Sequence, residues 1–140
     1  VILYLDSSAL TKLYIAEPES ALVVNAVNDA KSVAVSVLSL AESSSAIARK
    51  LEDGDITEAE ERTAYQQLLE EWPTLERFDV SDHLTREASI LVRSRGLRGA
   101  DAVQLATAAW LARERRGVRV LAFDDAINGA VKGLVKLWEP

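Results

Sequence analysis

Four carboxylates stand where strands would end or helices begin: Asp6, Glu42, Asp101 and Asp124. Asp6 closes the apolar run Val1–Leu5 in "LYLDSSALTKLY", and Glu42 follows the β-rich stretch 33–37. Asp101 opens an alanine-rich segment, and Asp124 follows the apolar run Val118–Phe123. Each has a local role open to it. Asp6 can cap a helix starting near Ser8, a job Ser7 or Ser8 could also do. Ser39-Leu40-Ala41-Glu42 has capping-box spacing. Asp101 and Asp124 suit an N-cap or a first helical turn. The other role is a shared one. Acids gathered at one edge repel by about 4 kcal/mol per pair, at 4 Å and an effective dielectric near 20. Either protons or a cation must relieve that. Oxygen-only ligation, in a chain with no Cys and one His, points to Mg²⁺ or Mn²⁺ rather than zinc. Four acids around such an ion suit phosphodiester hydrolysis. The ion acidifies a bound water and stabilises the leaving oxygen, and a free carboxylate orients or deprotonates the attacking water.

The elements must bring these acids together. Val1–Leu5 reads as a buried strand, followed by a helix from Ser8 to Ile15. Pro18 suits the first turn of a second helix over roughly 18–28. A second strand is expected at 33–37 and a helix from Ser39 to Leu51, ended by Asp53-Gly54-Asp55. Thr57 and Glu60 form a capping box that opens a helix to about Trp72, just before Pro73. A short third strand falls within Leu75–Val80. Ser81 then caps a helix to about Arg95 with Leu84, Ala88, Leu91 and Val92 on one face. Gly96 and Gly99 bracket a turn before the helix from Asp101 to about Arg115, whose Ala102, Ala106 and Ala109 permit close packing. Gly117 ends it. A fourth strand at Val118–Phe123, a short helix after Asp124-Asp125 and a fifth strand within Leu134–Trp138 complete the pattern. Alternating strands and helices imply an α/β fold with a mostly parallel sheet. Such sheets bind ligands beyond the carboxyl ends of their strands, where strand order reverses. That is the edge on which the plan places all four acids.

Bulk properties narrow the classes. The 140 residues suit one domain, and 49% hydrophobic content argues against disorder. Absence of cysteine excludes disulfides, thiolate zinc sites and Cys nucleophiles, and fits a reducing cytoplasm. No apolar run approaches the roughly 18 residues of a membrane span, and Val1-Ile2-Leu3, short and without a basic flank, reads as strand rather than as a signal segment. The chain contains no Met, which reads as removal of the initiator. A net charge of −6 speaks against nucleic acid unless the acids hold cations. The arginines at 93, 95 and 98 and at 113, 115, 116 and 119 read as a solvated surface. His83, the lone histidine, sits in a first turn and reads as surface or capping, which leaves Ser-His-Asp catalysis without its base unless His83 faces the acids.

These local contexts resemble the PIN-domain nucleases, in particular the VapC-type toxins of toxin–antitoxin systems. "YLDSSALTKLYIAEP", "SVLSLAESSSAIARK", "GLRGADAVQLATAAW" and "VRVLAFDDAINGAV" are similar, in order, to the motifs that carry the family's acids. The resemblance spans nearly the whole chain and implies a single PIN domain over residues 1–140. Its fold would be an α/β/α sandwich around a mostly parallel sheet of 4–5 strands. It implies a cytoplasmic Mg²⁺- or Mn²⁺-dependent endoribonuclease, a homodimer, and a VapB-like antitoxin covering or entering its site. It makes Asp6, Glu42, Asp101 and Asp124 the acidic quartet, with Asp6, Asp101 and Asp124 on the metal and Glu42 binding directly or through water. Asp125 competes with Asp124, which is favoured for following the strand directly. Ser8 lies where the family often has a polar residue beside the first acid. Two positions depart from the pattern: Ala122 replaces a Thr or Ser, and Gln104 stands where His is frequent. Among residues read for substrate contact, Lys12 lies one turn past Ser8 and Arg49 about two turns past Glu42. For both, a surface or antitoxin-facing role competes with RNA contact.

Two other classes fit the size and acidity. A non-enzymatic Mg²⁺-binding receiver-like module would want a second acid near Asp6, and a haloacid-dehalogenase-type phosphatase would want Asp at position 8, where Ser8 stands. A PIN domain that only binds partners would keep the fold and lose the reaction.

Overall fold

The computed structural model describes residues 1–140. In chain order the elements are β1 (Ile2–Leu5), α1 (Ser7–Thr11), α2 (Ser20–Asp29), β2 (Ser32–Ser36), α3 (Leu38–Glu52) and α4 (Glu58–Glu71). A 3₁₀ turn (Trp72–Thr74) leads to β3 (Glu76–Phe78), α5 (Asp82–Arg95), α6 (Gly99–Glu114), β4 (Val118–Leu121), α7 (Asp125–Gly129) and β5 (Lys136–Leu137). The strands form one sheet in the order β3-β2-β1-β4-β5, and every pairing is parallel.

Successive strand residues face opposite ways, and both faces are covered. Tyr4, Ala34, Val118 and Val120 pack toward α5 and α6. Leu3, Leu5, Val35 and Leu121 pack toward α1, α2, α3 and α4. This is the expected α/β/α sandwich. Helix α6 is buried on most of its circumference, and Ala102, Ala106, Ala108 and Ala109 let its neighbours approach closely. No helix is long and apolar enough to cross a membrane.

The topology fixes where a ligand belongs. The chain runs outward from β1 to β2 and β3, then returns to place β4 on the other side of β1. Strand order therefore reverses between β1 and β4, the crevice position of open α/β sheets. Leu5 and Leu121 are register partners at the carboxyl ends of those strands. Asp6 follows one and Asp124 lies just beyond the other.

Several local expectations change. Helix α1 stops at Thr11 rather than Ile15, and α2 starts at Ser20 rather than Pro18. Pro18 disfavours helix in the residue before it. Ser20 instead makes the joint: its hydroxyl accepts from the Glu17 N–H at 2.9 Å and donates to the Ile15 carbonyl at 3.1 Å. Strand β5 is reduced to Lys136–Leu137, after a turn in which Gly133 adopts a φ of 80°. Val92 is 38% exposed while Leu84, Ala88 and Leu91 are buried, so the α5 stripe is narrower than expected. Both the Thr57–Glu60 capping box and the Ser81 cap form as the sequence indicates. Ser39–Glu42 is no capping box: α3 starts at Leu38 without a side-chain cap, and both side chains bond Gln104 instead.

Much of the arginine cluster holds elements together. Arg113 pairs with Glu87, Arg115 with Glu76, and Arg95 donates to the Lys132 carbonyl at 2.8 Å. His83 is exposed, 3.2 Å from Glu87.

Candidate active site

Asp6 sits at the N-cap of α1, and its geometry is tightly fixed. Its Oδ1 accepts from the Ser8 hydroxyl at 2.6 Å and from the Ala9 N–H at 2.9 Å. The Ser8 oxygen in turn accepts from the Phe123 N–H at 2.9 Å, which ties the turn after β1 to the segment leaving β4. The capping role therefore holds as geometry and aims the carboxylate. Asp6 is only 3% exposed. Burial pushes its pKa up to about 6; the Ser8 and Ala9 bonds pull it down, and the charges of Asp124 and Glu42 push it up.

Asp124 caps α7 by accepting from the Ile127 N–H at 3.0 Å. Asp125 is exposed in the first turn. Of these two, Asp124 is the one whose charge acts on both Asp6 and Asp101, as the charge of Glu42 also does. Asp101 lies in the first turn of α6 and is half-buried. Burial raises its pKa, Asp124 and Glu42 raise it further, and Arg98 lowers it. Glu42 projects from the first turn of α3, its Oε1 accepting from Gln104 Nε2 at 2.8 Å.

The fold thus brings all four acids into one electrostatic neighbourhood, and none of them takes part in an ion pair. They form no ready-made cage: no group of three or more His, Cys, Asp or Glu side chains converges tightly enough to enclose an ion. The site is an open set of hard oxygen donors.

Beside it runs a cleft of ≈ 650 Å³ between α1 and α3, lined in part by Ser8, Lys12, Glu42, Arg49 and Phe123. Two of the three expected substrate contacts prove to have structural work. Ser8 spends its proton on Asp6. Lys12 is 9% exposed, with its ammonium 3.0 Å from Glu19, 3.5 Å from Glu17 and 4.8 Å from the Phe123 ring centroid. That charge is committed within the chain. Arg49 is exposed on the cleft wall and enters no ion pair, so it remains available.

The residue that sequence reasoning undervalued is Gln104, with its partners Tyr4 and Ser39. Gln104 Oε1 accepts from the Tyr4 hydroxyl at 2.6 Å, and its Nε2 donates to Ser39 as well as Glu42. Burial pushes the Tyr4 phenol far above its ordinary range, so it keeps its proton. The available signal was a long amide in an alanine-lined helix, three residues past an acid. At the other departure, Ala122 is buried with its carbonyl accepting from Asn128 Nδ2 at 2.9 Å, and no hydroxyl is present.

A family model for the PIN domain matches residues 3–132. The chain belongs to the PIN-domain family. This PIN domain is 31% identical over 127 residues to proteins named ribonuclease VapC45 and ribonuclease VapC49, from two strains of Mycobacterium tuberculosis. Those matches cover 91% of this chain and 87% of each relative. Its fold is similar to that of Mycobacterium tuberculosis VapC20, described as a toxin that cleaves the sarcin–ricin loop, with a TM-score of 0.70 at 17% identity over 98% of this chain and 99% of that one. It is also similar to a chain of a toxin–antitoxin complex from Klebsiella pneumoniae, with a TM-score of 0.66 at 17% identity over 100% of this chain and 98% of that one. The four-motif resemblance to the VapC-type PIN domains is borne out at the level of family and fold.

Proposed function

We propose that this PIN domain is a Mg²⁺- or Mn²⁺-dependent endoribonuclease, the toxin of a toxin–antitoxin pair. The observation that carries the proposal is the clustered acid set, in which Asp6 is buried and the other three are half-buried. Asp6 and Asp101 are raised by burial and by acidic neighbours, and no protein cation is paired with any of the four carboxylates. The donors fit a hard cation. They are all oxygen, the chain has no Cys, and His83 is exposed and occupied with Glu87. An open set suits Mg²⁺, which keeps several waters and takes one or two carboxylates directly. That accounts for acids that share a field without closing into a cage.

Asp6, Asp101 and Asp124 would hold the ion, with Glu42 binding directly or through a water. When bound, the ion supplies an acidified water and charge stabilisation at the phosphate. The chain's own residues do the orienting. Ser8 and Ala9 fix Asp6 by one oxygen, and the Asp124 side chain is fixed by the start of α7. A carboxylate of the set takes the proton of the attacking water, which burial and like charge favour by raising its basicity. Arg49, on the cleft wall, is the free cation placed to meet the RNA backbone.

The names of the relatives support the ribonuclease reading, and the toxin–antitoxin complex among the similar structures supports a VapB-like antitoxin partner. A cytoplasmic homodimer is part of the same proposal. The receiver-like alternative loses ground, because flavodoxin-like modules order their strands 2-1-3-4-5 and this sheet runs β3-β2-β1-β4-β5. The test is cleavage of RNA by protein stripped with a chelator. Activity should return with Mg²⁺ or Mn²⁺ and vanish in folded Asp6→Asn and Asp101→Asn variants. Metal-independent cleavage, or equal cleavage by the variants, would refute the mechanism; no cleavage under any condition would favour a domain that only binds partners.

A further inference from the structure

Gln104 joins three elements that carry the acids. It lies in α6, three residues after Asp101 and hence on a neighbouring part of the helix surface, and it is 2% exposed. From there it bonds Tyr4 in β1 and both Ser39 and Glu42 in α3. An amide has two N–H donors and one carbonyl. Here both donors and the carbonyl are engaged, at 2.9, 2.8 and 2.6 Å.

The amide can point only one way. An ionised Glu42 accepts and never donates, so the NH₂ end must face it. The Tyr4 hydroxyl donates to the opposite atom. A flipped amide would set its carbonyl against the Glu42 carboxylate, a clash that the Tyr4 hydroxyl, able to accept as well as donate, would not relieve. Ser39 alone would have sufficed to satisfy one buried donor. The second donor is spent on a half-exposed carboxylate that lines the cleft, which a purely structural amide has no need to do.

We infer that Gln104 is a positioning residue that holds Glu42 by Oε1 and so presents Oε2 alone to an ion or its bound water. The inference rests on the metal-dependent reading proposed above. This is the only side-chain hydrogen bond Glu42 makes within the chain. Without it, Glu42 is free to turn into the cleft or to engage an ion with both oxygens. Removing groups that orient a metal-ligating side chain typically costs about 10–100-fold in metal affinity or activity.

The experiment measures Mn²⁺ affinity of chelator-stripped protein by the electron paramagnetic resonance signal of free Mn²⁺, alongside kcat and KM for RNA cleavage and thermal unfolding. Gln104→Leu should weaken Mn²⁺ binding about tenfold or more and lower kcat, with KM for RNA within about twofold. Gln104→His restores an N–H donor and should recover most of the affinity. Tyr4→Phe keeps the amide but removes the hydrogen bond that anchors its Oε1 end, and should give a smaller loss than Gln104→Leu. Where Gln104→Leu fails to fold, the other two variants carry the test. Unchanged Mn²⁺ affinity and kcat in folded Gln104→Leu or, where that variant does not fold, in Tyr4→Phe, overturns the inference alone. A Gln104→His variant as weak as Gln104→Leu also counts against it. Failure of the unsubstituted protein to bind Mn²⁺ overturns both this inference and the reading on which it rests.

Discussion

Two charged regions meet along α1, and they are built on opposite plans. In the cleft, both lysines have acids beside them, and Arg49 alone is left without an ion pair. Lys12 lies between Glu17 and Glu19, and Lys50 reaches Glu17 at 3.8 Å and Asp55 at 4.0 Å. At the sheet edge, Asp6, Glu42, Asp101 and Asp124 share a field with no ion-pair partner, and Arg98 acts on Asp101 only at longer range. The first region settles its lysine charge within the chain. The second leaves the charge to be settled by something else. Clustering like charges without compensation weakens a fold, and that cost is the ground for the proposed cation site.

The sharpest way to break that contrast is to remove an acid and follow the reaction. Asp6→Asn or Asp101→Asn should reduce Mg²⁺-dependent RNA cleavage by at least about 10²-fold, measured as initial rates with circular dichroism confirming the fold. A substitution of Lys12, whose charge is settled within the chain, should do far less to catalysis.

The next effect is one of stability, and its sign is unusual. The folded pKa of Asp6 is about 6 against an ordinary value of 3.8. Between those values the folded, metal-free protein binds more protons than the unfolded chain. Stability from this group is therefore present at low pH, falls as pH rises through that window, and stays lower above it. The displacement corresponds to about 3 kcal/mol at most. Metal-free Asp6→Asn should consequently be more stable than the parent in urea unfolding at pH 7.5, by about 1–3 kcal/mol, and should lose that advantage near pH 4. The same protonation opposes metal binding. Mg²⁺ should raise the melting temperature more at pH 7.5 than at pH 5, and at subsaturating Mg²⁺ the cleavage rate should climb with pH over the same range.

Smaller effects belong to the self-compensated charges. Lys12→Met leaves Glu17 and Glu19 without their shared ammonium and should lower the melting temperature by a few degrees, with no change in how the melting temperature responds to Mg²⁺. Smallest of all, His83→Ala removes an exposed contact with Glu87 and should leave melting temperature and cleavage unchanged.

What the sequence disclosed tracks the scale of the interaction. Strand positions, both helix caps and the four acids at one edge follow from patterns within a few residues, combined with one topological rule, and they are legible in the chain. The termination of α1 at Thr11 depends on how Ser20 folds back on Ile15 and Glu17, which periodicity does not register. Ser39 and Glu42 satisfied a local capping pattern, yet Gln104, 62 residues beyond Glu42, claims both side chains. Lys12 looked free because its acids at positions 17 and 19 lie across a chain reversal. In each case a tertiary partner displaced the local one, and the displaced residues are those that border the site.

The account turns on whether the four acids hold a divalent cation. Mn²⁺ binding to chelator-stripped protein at pH 7.5, read from the free-ion resonance signal, tests this directly. Saturable binding in the parent, competed by Mg²⁺ and lost in folded Asp6→Asn and Asp101→Asn variants, is the predicted result. Absent binding in the parent, or equal binding in the two variants, would contradict it.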